Sequence, residues 1–185
     1  RRLKKDVAAD LPAKLEQVSF CELTPDQRGV YQQVIEATRK EVLEAVGAQG
    51  IAKSRMVVLT ALLRLRQVCC DLRLLKLEEH PAPARPVSEL QRAEPALGAP
   101  TTAASGKLEL FSELLEEVID GGHRVLVFSQ FVGMLTLLKE RLAEEGIEYC
   151  YLDGSTTDRA KVVERFQSTA TIPVFLISLK AGGAG

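Results

Sequence analysis

Val125-Leu126-Val127-Phe128 closes on Ser129-Gln130, and those six residues decide how the second half of the chain folds. A short apolar run that stops at small polar residues reads as a buried strand delivering its polar end to a turn. Two more runs of the same form follow. Tyr149-Cys150-Tyr151-Leu152 closes on Asp153-Gly154-Ser155-Thr156, and Val174-Phe175-Leu176-Ile177 closes on Ser178-Leu179-Lys180 and a glycine-rich tail, Ala181-Gly182-Gly183-Ala184-Gly185. Helical patterns fill the gaps at 131–145 and 157–167, with strands expected at 125–128, 148–152 and 173–178. Strand–helix–strand–helix–strand predicts an α/β fold with a parallel sheet and flanking helices. Right-handed crossovers point all three strands the same way, so the three polar ends should gather at one edge, where open α/β sheets bind ligands.

Upstream of the first run, Lys107 to Ile119 forms an amphipathic helix that Gly121-Gly122 ends. Residues 80–106 differ in character: Pro81, Pro83, Pro86, Pro95 and Pro100 punctuate a stretch rich in Ala, Ser and Thr, as in a linker or an exposed insertion. Residues 1–79 open with a basic lead-in, Arg1-Arg2-Leu3-Lys4-Lys5. Glu16–Leu23 alternates apolar and polar residues and predicts a strand. Thr24-Pro25-Asp26-Gln27 is a helix start, with Thr24 as N-cap, Pro25 in the first position and Gln27 completing a capping box. That helix is expected to reach about Val46 and to break at Gly47 and Gly50, with a second over Ile51–Asp71. Three turns apart, Lys53 and Arg64 should share a face of the second helix, as should Arg55 and Arg66. They are either solvated cations on a core helix or a basic ridge for nucleic acid.

Bulk properties narrow the function classes. Of 185 residues, 46% are hydrophobic, and no apolar stretch approaches the roughly 18 residues of a membrane span. Cys21, Cys69, Cys70 and Cys150 show no Cys-x-x-Cys spacing, which argues against zinc or a disulfide framework and for a reducing, cytoplasmic setting. The net charge of −1 conceals an asymmetry: residues 1–76 carry 14 Lys and Arg against 9 Asp and Glu, and residues 77–185 carry 10 against 16. A local positive excess of that kind leaves room for a polyanionic partner.

The three strand ends are the candidate chemistry. Ser129 and Gln130 offer a hydroxyl and an amide beside a helix start, suited to phosphate oxygens, although Ser129 serves equally as a cap for the helix at Phe131. Gly154 admits close backbone approach, while Ser155 or Thr156 can cap the next helix and present N–H groups to an anion, or form a plain turn. Lys180 with Gly182, Gly183 and Gly185 places a compact charge beside bare backbone, suited to a nucleotide phosphate or a nucleic-acid backbone. Neither a Gly-x-x-x-x-Gly-Lys-[Ser/Thr] loop nor a Gly-x-Gly-x-x-Gly pattern is present. His80 and His123 are placed as surface histidines, and no nucleophile–base pair can be assembled. The residues support phosphate contact without a self-contained reaction. The chain closes on a glycine turn directly after an apolar strand, which predicts a piece of a longer protein.

Ser105-Gly106-Lys107-Leu108, Arg124-Val-Leu-Val-Phe-Ser-Gln-Phe131, Leu152-Asp-Gly-Ser-Thr156, Arg165-Phe166 and Ser178-Leu-Lys-Ala-Gly-Gly-Ala-Gly185 together resemble the second motor lobe of Swi/Snf-type ATPases, within the superfamily-two helicases. Leu63-Arg-Leu-Arg-Gln-Val-Cys-Cys70 is similar to that family too, with Asp71-Leu72 where the family usually has His-Pro. The resemblance implies a partial RecA-like sheet over 107–185, preceded by a strand and a helical segment. It implies a DNA-stimulated ATPase that tracks along double-stranded DNA. In such motors ATP lies between two RecA-like lobes, and the first lobe of the same chain supplies the Walker A lysine and the Mg²⁺-binding acidic motif. By the same resemblance Ser129, Gln130, Gly154, Ser155, Thr156, Ser178 and Lys180 lie on the DNA side, and Gly182, Gly183 and Gly185 face the nucleotide. No metal ligand and no complete catalytic set is expected within these 185 residues, since the arginine-finger motif is absent as well. A reading of another class is a non-catalytic helicase-like module that binds DNA or protein.

Overall fold

The computed structural model describes residues 15–77 and 105–182. Its first helices are α1 (Pro25–Lys53), α2 (Arg55–Cys70) and the single turn α3 (Leu74–Leu77). The expected capping box starts α1: the Gln27 N–H donates to Thr24 Oγ1 and the Thr24 N–H to Gln27 Oε1, both at 3.2 Å. Gly47 does not break the helix, since one interior glycine lowers helix stability by only about 1 kcal/mol relative to alanine. The break comes at Gly50, where φ is 75°, a left-handed conformation that favours glycine. The Ser54 N–H and hydroxyl then donate to the Gly50 carbonyl, and the hydroxyl also reaches the Ala45 carbonyl at 2.7 Å. The chain reverses there, and α2 runs back along α1. Lys53 therefore lies past the reversal, in the short segment that leads through Ser54 into α2, which carries Arg55, Arg64 and Arg66.

Residues 15–24 form no strand, contrary to the alternation of their side chains. No described strand lies beside them to pair with, and Leu15 and Phe20 are each 89% exposed. Alternation needs a neighbouring strand before it becomes sheet.

After the hairpin, Asp71 is fully buried and caps α2. Its carboxylate accepts from Arg73 Nε and Nη2, each at 2.9 Å, and from the Arg73 backbone N–H at 2.9 Å. This two-pronged pair holds the turn at the position where the resembling family has His-Pro.

The second half contains α4 (Gly106–Asp120), β1 (Val125–Ser129), α5 (Val132–Glu144), β2 (Tyr149–Leu152), α6 (Arg159–Ser168), β3 (Val174–Ser178) and the short turn α7 (Leu179–Gly182). The strands form a parallel sheet in the order β1-β3-β2. Central β3 is buried along its whole length. Its Val174 and Leu176 join Leu135, Leu138 and Leu142 of α5, Leu115 of α4 and Leu74 in one core. Its Phe175 and Ile177 join Cys150, Leu152, Ile172 and Ala181 on the opposite face, against Val162 and Phe166 of α6. Each fully buried Leu or Val contributes about 1.5–3 kcal/mol, so the period-two alternation of β3 fastens helices to both faces. The second face is only half covered: Leu126 and Phe128 of β1 remain 52% and 51% exposed. Arg124 stacks over the Phe166 ring at 3.8 Å and donates to the carbonyls of Phe166, Thr169 and Ile172, tying the start of β1 to the α6–β3 connection. Among the described residues no helix is long and apolar enough to cross a membrane.

Candidate functional site

Parallel register brings the three polar strand ends together. Ser129 lies opposite Ser178, and Leu152 lies opposite Ile177, so the turns after β1 and β2 flank the turn after β3. The geometry of each turn differs from its sequence reading in an instructive way.

At the end of β1, Ser129 does not cap α5. Its hydroxyl accepts the Phe131 N–H at 3.1 Å and lies 3.0 Å from the Phe131 carbonyl, closing a local turn. Phe131 occupies the N-cap position with no side-chain cap. Gln130, half-buried, is the residue enclosed by this turn.

At the end of β2, one carboxylate organises everything. Asp153 Oδ1 accepts from the Ser155 N–H at 2.9 Å, the Ser155 hydroxyl at 2.6 Å and the Thr156 hydroxyl at 3.3 Å, and Oδ2 accepts from the Tyr151 hydroxyl at 2.8 Å. Thr156 Oγ1 in turn accepts the Asp153 N–H at 3.0 Å. The Ser155 hydrogen bond, followed by that from Tyr151, holds the Asp153 carboxyl down at about 2 despite its partial desolvation. Burial, then the Asp153 hydrogen bond and charge, push the Tyr151 phenol up to about 12. The N–H of Ser155 and that of Thr156, which donates to the Asp153 carbonyl, are thus committed within the turn and are not an open anion cradle. Neither Ser155 nor Thr156 caps α6; Asp158 does, accepting the Lys161 N–H at 3.0 Å. Gly154 is exposed, and a Cβ placed on it would meet nothing within 4 Å.

At the end of β3, Ser178 is 1% exposed. Ser178, which the resemblance puts on the DNA side, is thus buried beneath the surface of this edge. Lys180 is exposed as expected, but it stands on the single helical turn α7 and not in an open glycine loop. Ala181 turns inward, and Gly182 ends the turn; Gly183 and Gly185 lie outside the described residues.

One feature escaped sequence reading. Between α2 and the sheet edge lies an open groove of about 960 Å³, lined by Met56, Leu59 and Leu63 on one side and by Phe128, Gln130 and Leu179 on the other. Arg66 and Lys107 also border it. The available signal was in α2, whose Leu59, Leu62 and Leu63 are 57%, 51% and 43% exposed: its apolar residues occupy more than the one face a surface helix buries. Among the described residues no group of three or more His, Cys, Asp or Glu could hold a metal.

Comparison with known proteins places this arrangement. Residues 1–74 match the SNF2-related domain, and residues 106–185 match the helicase conserved C-terminal domain. The chain is 35% identical over 187 residues to the zebrafish (Danio rerio) chromodomain-helicase-DNA-binding protein 1-like, and 34% identical over 189 residues to the human DNA excision repair protein ERCC-6. Both alignments take in all of this chain, which spans 16% of the first relative and 12% of the second. Among solved structures, the Sulfolobus solfataricus SWI2/SNF2 ATPase core in complex with dsDNA superposes with a TM-score of 0.64 at 26% identity, over 96% of this chain and 34% of that one. The helical hairpin falls in the first match and the parallel sheet in the second, and the chain belongs to the SNF2 family.

Proposed function

We propose that this chain is part of an ATP-driven motor that moves along double-stranded DNA, and that its sheet is one wall of the ATP cleft. The opposite wall would be the first RecA-like lobe of the same protein, which would supply the residues that grip ATP phosphates and Mg²⁺. The observation that carries this reading is the convergence of three polar strand ends on one edge, in register, with Lys180 exposed beside them. Likeness to a SWI2/SNF2 core solved with dsDNA supports the choice of ligand. On this reading Gln130, Gly154, Ser155, Thr156 and Lys180 meet the DNA backbone. Ser129 and Ser178 shape the strand ends behind them, and Gly182, Gly183 and Gly185 face the nucleotide. The motor works where DNA is, in the nucleoid if the cell is bacterial.

These 185 residues hold no Walker A loop, so half of the reaction machinery must come from elsewhere in the protein. The test compares ATP hydrolysis by the full-length protein with that of purified residues 1–185, each with and without double-stranded DNA. The full-length protein should hydrolyse ATP faster with DNA, and residues 1–185 alone should not turn over. DNA-stimulated hydrolysis by residues 1–185 above a Lys180→Ala control would sink the half-site reading. Absence of any DNA response in the full-length protein would favour a non-catalytic binding module.

A further inference from the structure

The turn α7, which carries Lys180, is only four residues long, and this leaves its backbone carbonyls without partners inside the turn. It is held from below and from the side. From below, Ala181 is 5% exposed and packs among Cys150, Leu152, Ile172, Phe175 and Ile177. From the side, Arg159 Nη1 donates to the Ala181 carbonyl at 3.4 Å, across 22 residues of sequence. Among the described residues this is the one side-chain hydrogen bond to the turn. A guanidinium there also opposes the negative end of the turn's peptide dipoles.

Arg159 is the first residue of α6, directly after the connection that contains Asp153, Gly154, Ser155 and Thr156. Asp158 caps the helix beside it, so the base of the Arg159 side chain is set by that connection. Arg159 therefore joins two of the three strand-end turns, whereas Leu179 and Lys180 of the same turn are exposed and Leu179 lines the groove.

We infer that Arg159 is a positioning residue, which sets Lys180 and the rest of α7 in register with the Asp153–Thr156 turn. It touches neither ligand. Its contribution, which rests on the translocase function proposed above, is to make DNA engaged at one turn alter the geometry of the other. Lysine in its place keeps a donor of similar reach, while alanine keeps the helix and loses the bond.

The experiment uses the full-length protein with Arg159→Ala and Arg159→Lys. Two readouts are taken: hydrogen exchange of residues 179–182 without DNA, and ATP hydrolysis against DNA concentration. In Arg159→Ala the amides of 179–182 should exchange faster while those of β3 do not. The stimulation by DNA should fall by about fivefold or more, the lower range of site-to-site coupling, with basal hydrolysis retained. Arg159→Lys should restore most of both. Unchanged exchange at 179–182 in Arg159→Ala overturns the contact itself. Basal and stimulated hydrolysis falling together, without rescue by lysine, overturns the positioning role in favour of a purely structural one. A wild-type protein with no DNA response removes the translocase function and the coupling with it, and the exchange result still decides whether Arg159 holds the turn.

Discussion

The side-chain amide of Gln27 donates to the backbone carbonyl of Val68 at 2.9 Å, although 41 residues separate them. The same amide oxygen accepts the Thr24 N–H at 3.2 Å and the Gly106 N–H at 3.3 Å. One buried side chain, 1% exposed, thus joins the start of α1, the end of α2 and the start of α4. Gln27→Ala would leave the Val68 carbonyl and the Gly106 N–H without this partner. Each buried group so orphaned costs about 1–3 kcal/mol, and we expect a loss of roughly 2–4 kcal/mol in urea unfolding. A loss below about 0.5 kcal/mol, the range of ordinary surface substitutions, would mean that the junction is held by packing alone.

Gly106 is bare because the chain passes too close for anything else. A Cβ on it would lie 2.2 Å from the Glu22 carbonyl oxygen. Gly106→Ala must therefore push residues 15–24 away from α4 and should destabilise by about 1–3 kcal/mol, the usual range for overpacking. Gly29, in α1, meets nothing within 4 Å, so Gly29→Ala should raise stability by up to about 1 kcal/mol through helix propensity. Thermal unfolding of the two variants should move in opposite directions, and equal shifts would contradict the close approach.

The Tyr151–Asp153 pair gives two pH signatures. The Asp153 carboxyl falls from 3.8 to about 2 on folding, so the stability it confers is complete above pH 4 and drains away as pH drops toward 2. The Tyr151 phenol rises from 10.0 to about 12, so its contribution is present below pH 10 and is lost as pH climbs through 12. Absorbance titration should find a late-ionising phenol, near 12, that belongs to Tyr151. Asp153→Asn should bring that ionisation partway down, since burial, the first cause of the rise, remains. If Tyr151→Phe leaves the late-titrating phenol in place, the assignment is wrong.

Lys180 should report phosphate contact through salt. In the full-length protein, DNA affinity should fall steeply with ionic strength, and Lys180→Ala should flatten the slope of log affinity against log salt by about 0.9, the value for one phosphate. An unaltered slope would take Lys180 off the DNA.

Much of the sheet was legible because its signals are local. Val125–Phe128, Tyr149–Leu152 and Val174–Ile177 each carry enough apolar residues to demand burial, and the helices between them force parallel order. The capping box of Thr24 and Gln27 was legible for the same reason. Failures came where a partner distant in sequence decides. Residues 16–23 alternate but have no neighbouring strand among the described residues, and nothing local distinguishes Gly47 from Gly50 as the point of reversal. At the site, convergence of the turns followed from topology. The burial of Ser178 and the consumption of the Ser155 N–H by Asp153 are tertiary and side-chain facts that spacing does not encode.

The hydroxyl of Ser105 donates to the Cys70 carbonyl. Two points 35 positions apart in sequence are therefore fastened to each other, with the Pro- and Ala-rich stretch between them. The hairpin and the sheet are thus aligned by a direct bond between them and not only by the chain that joins them in sequence.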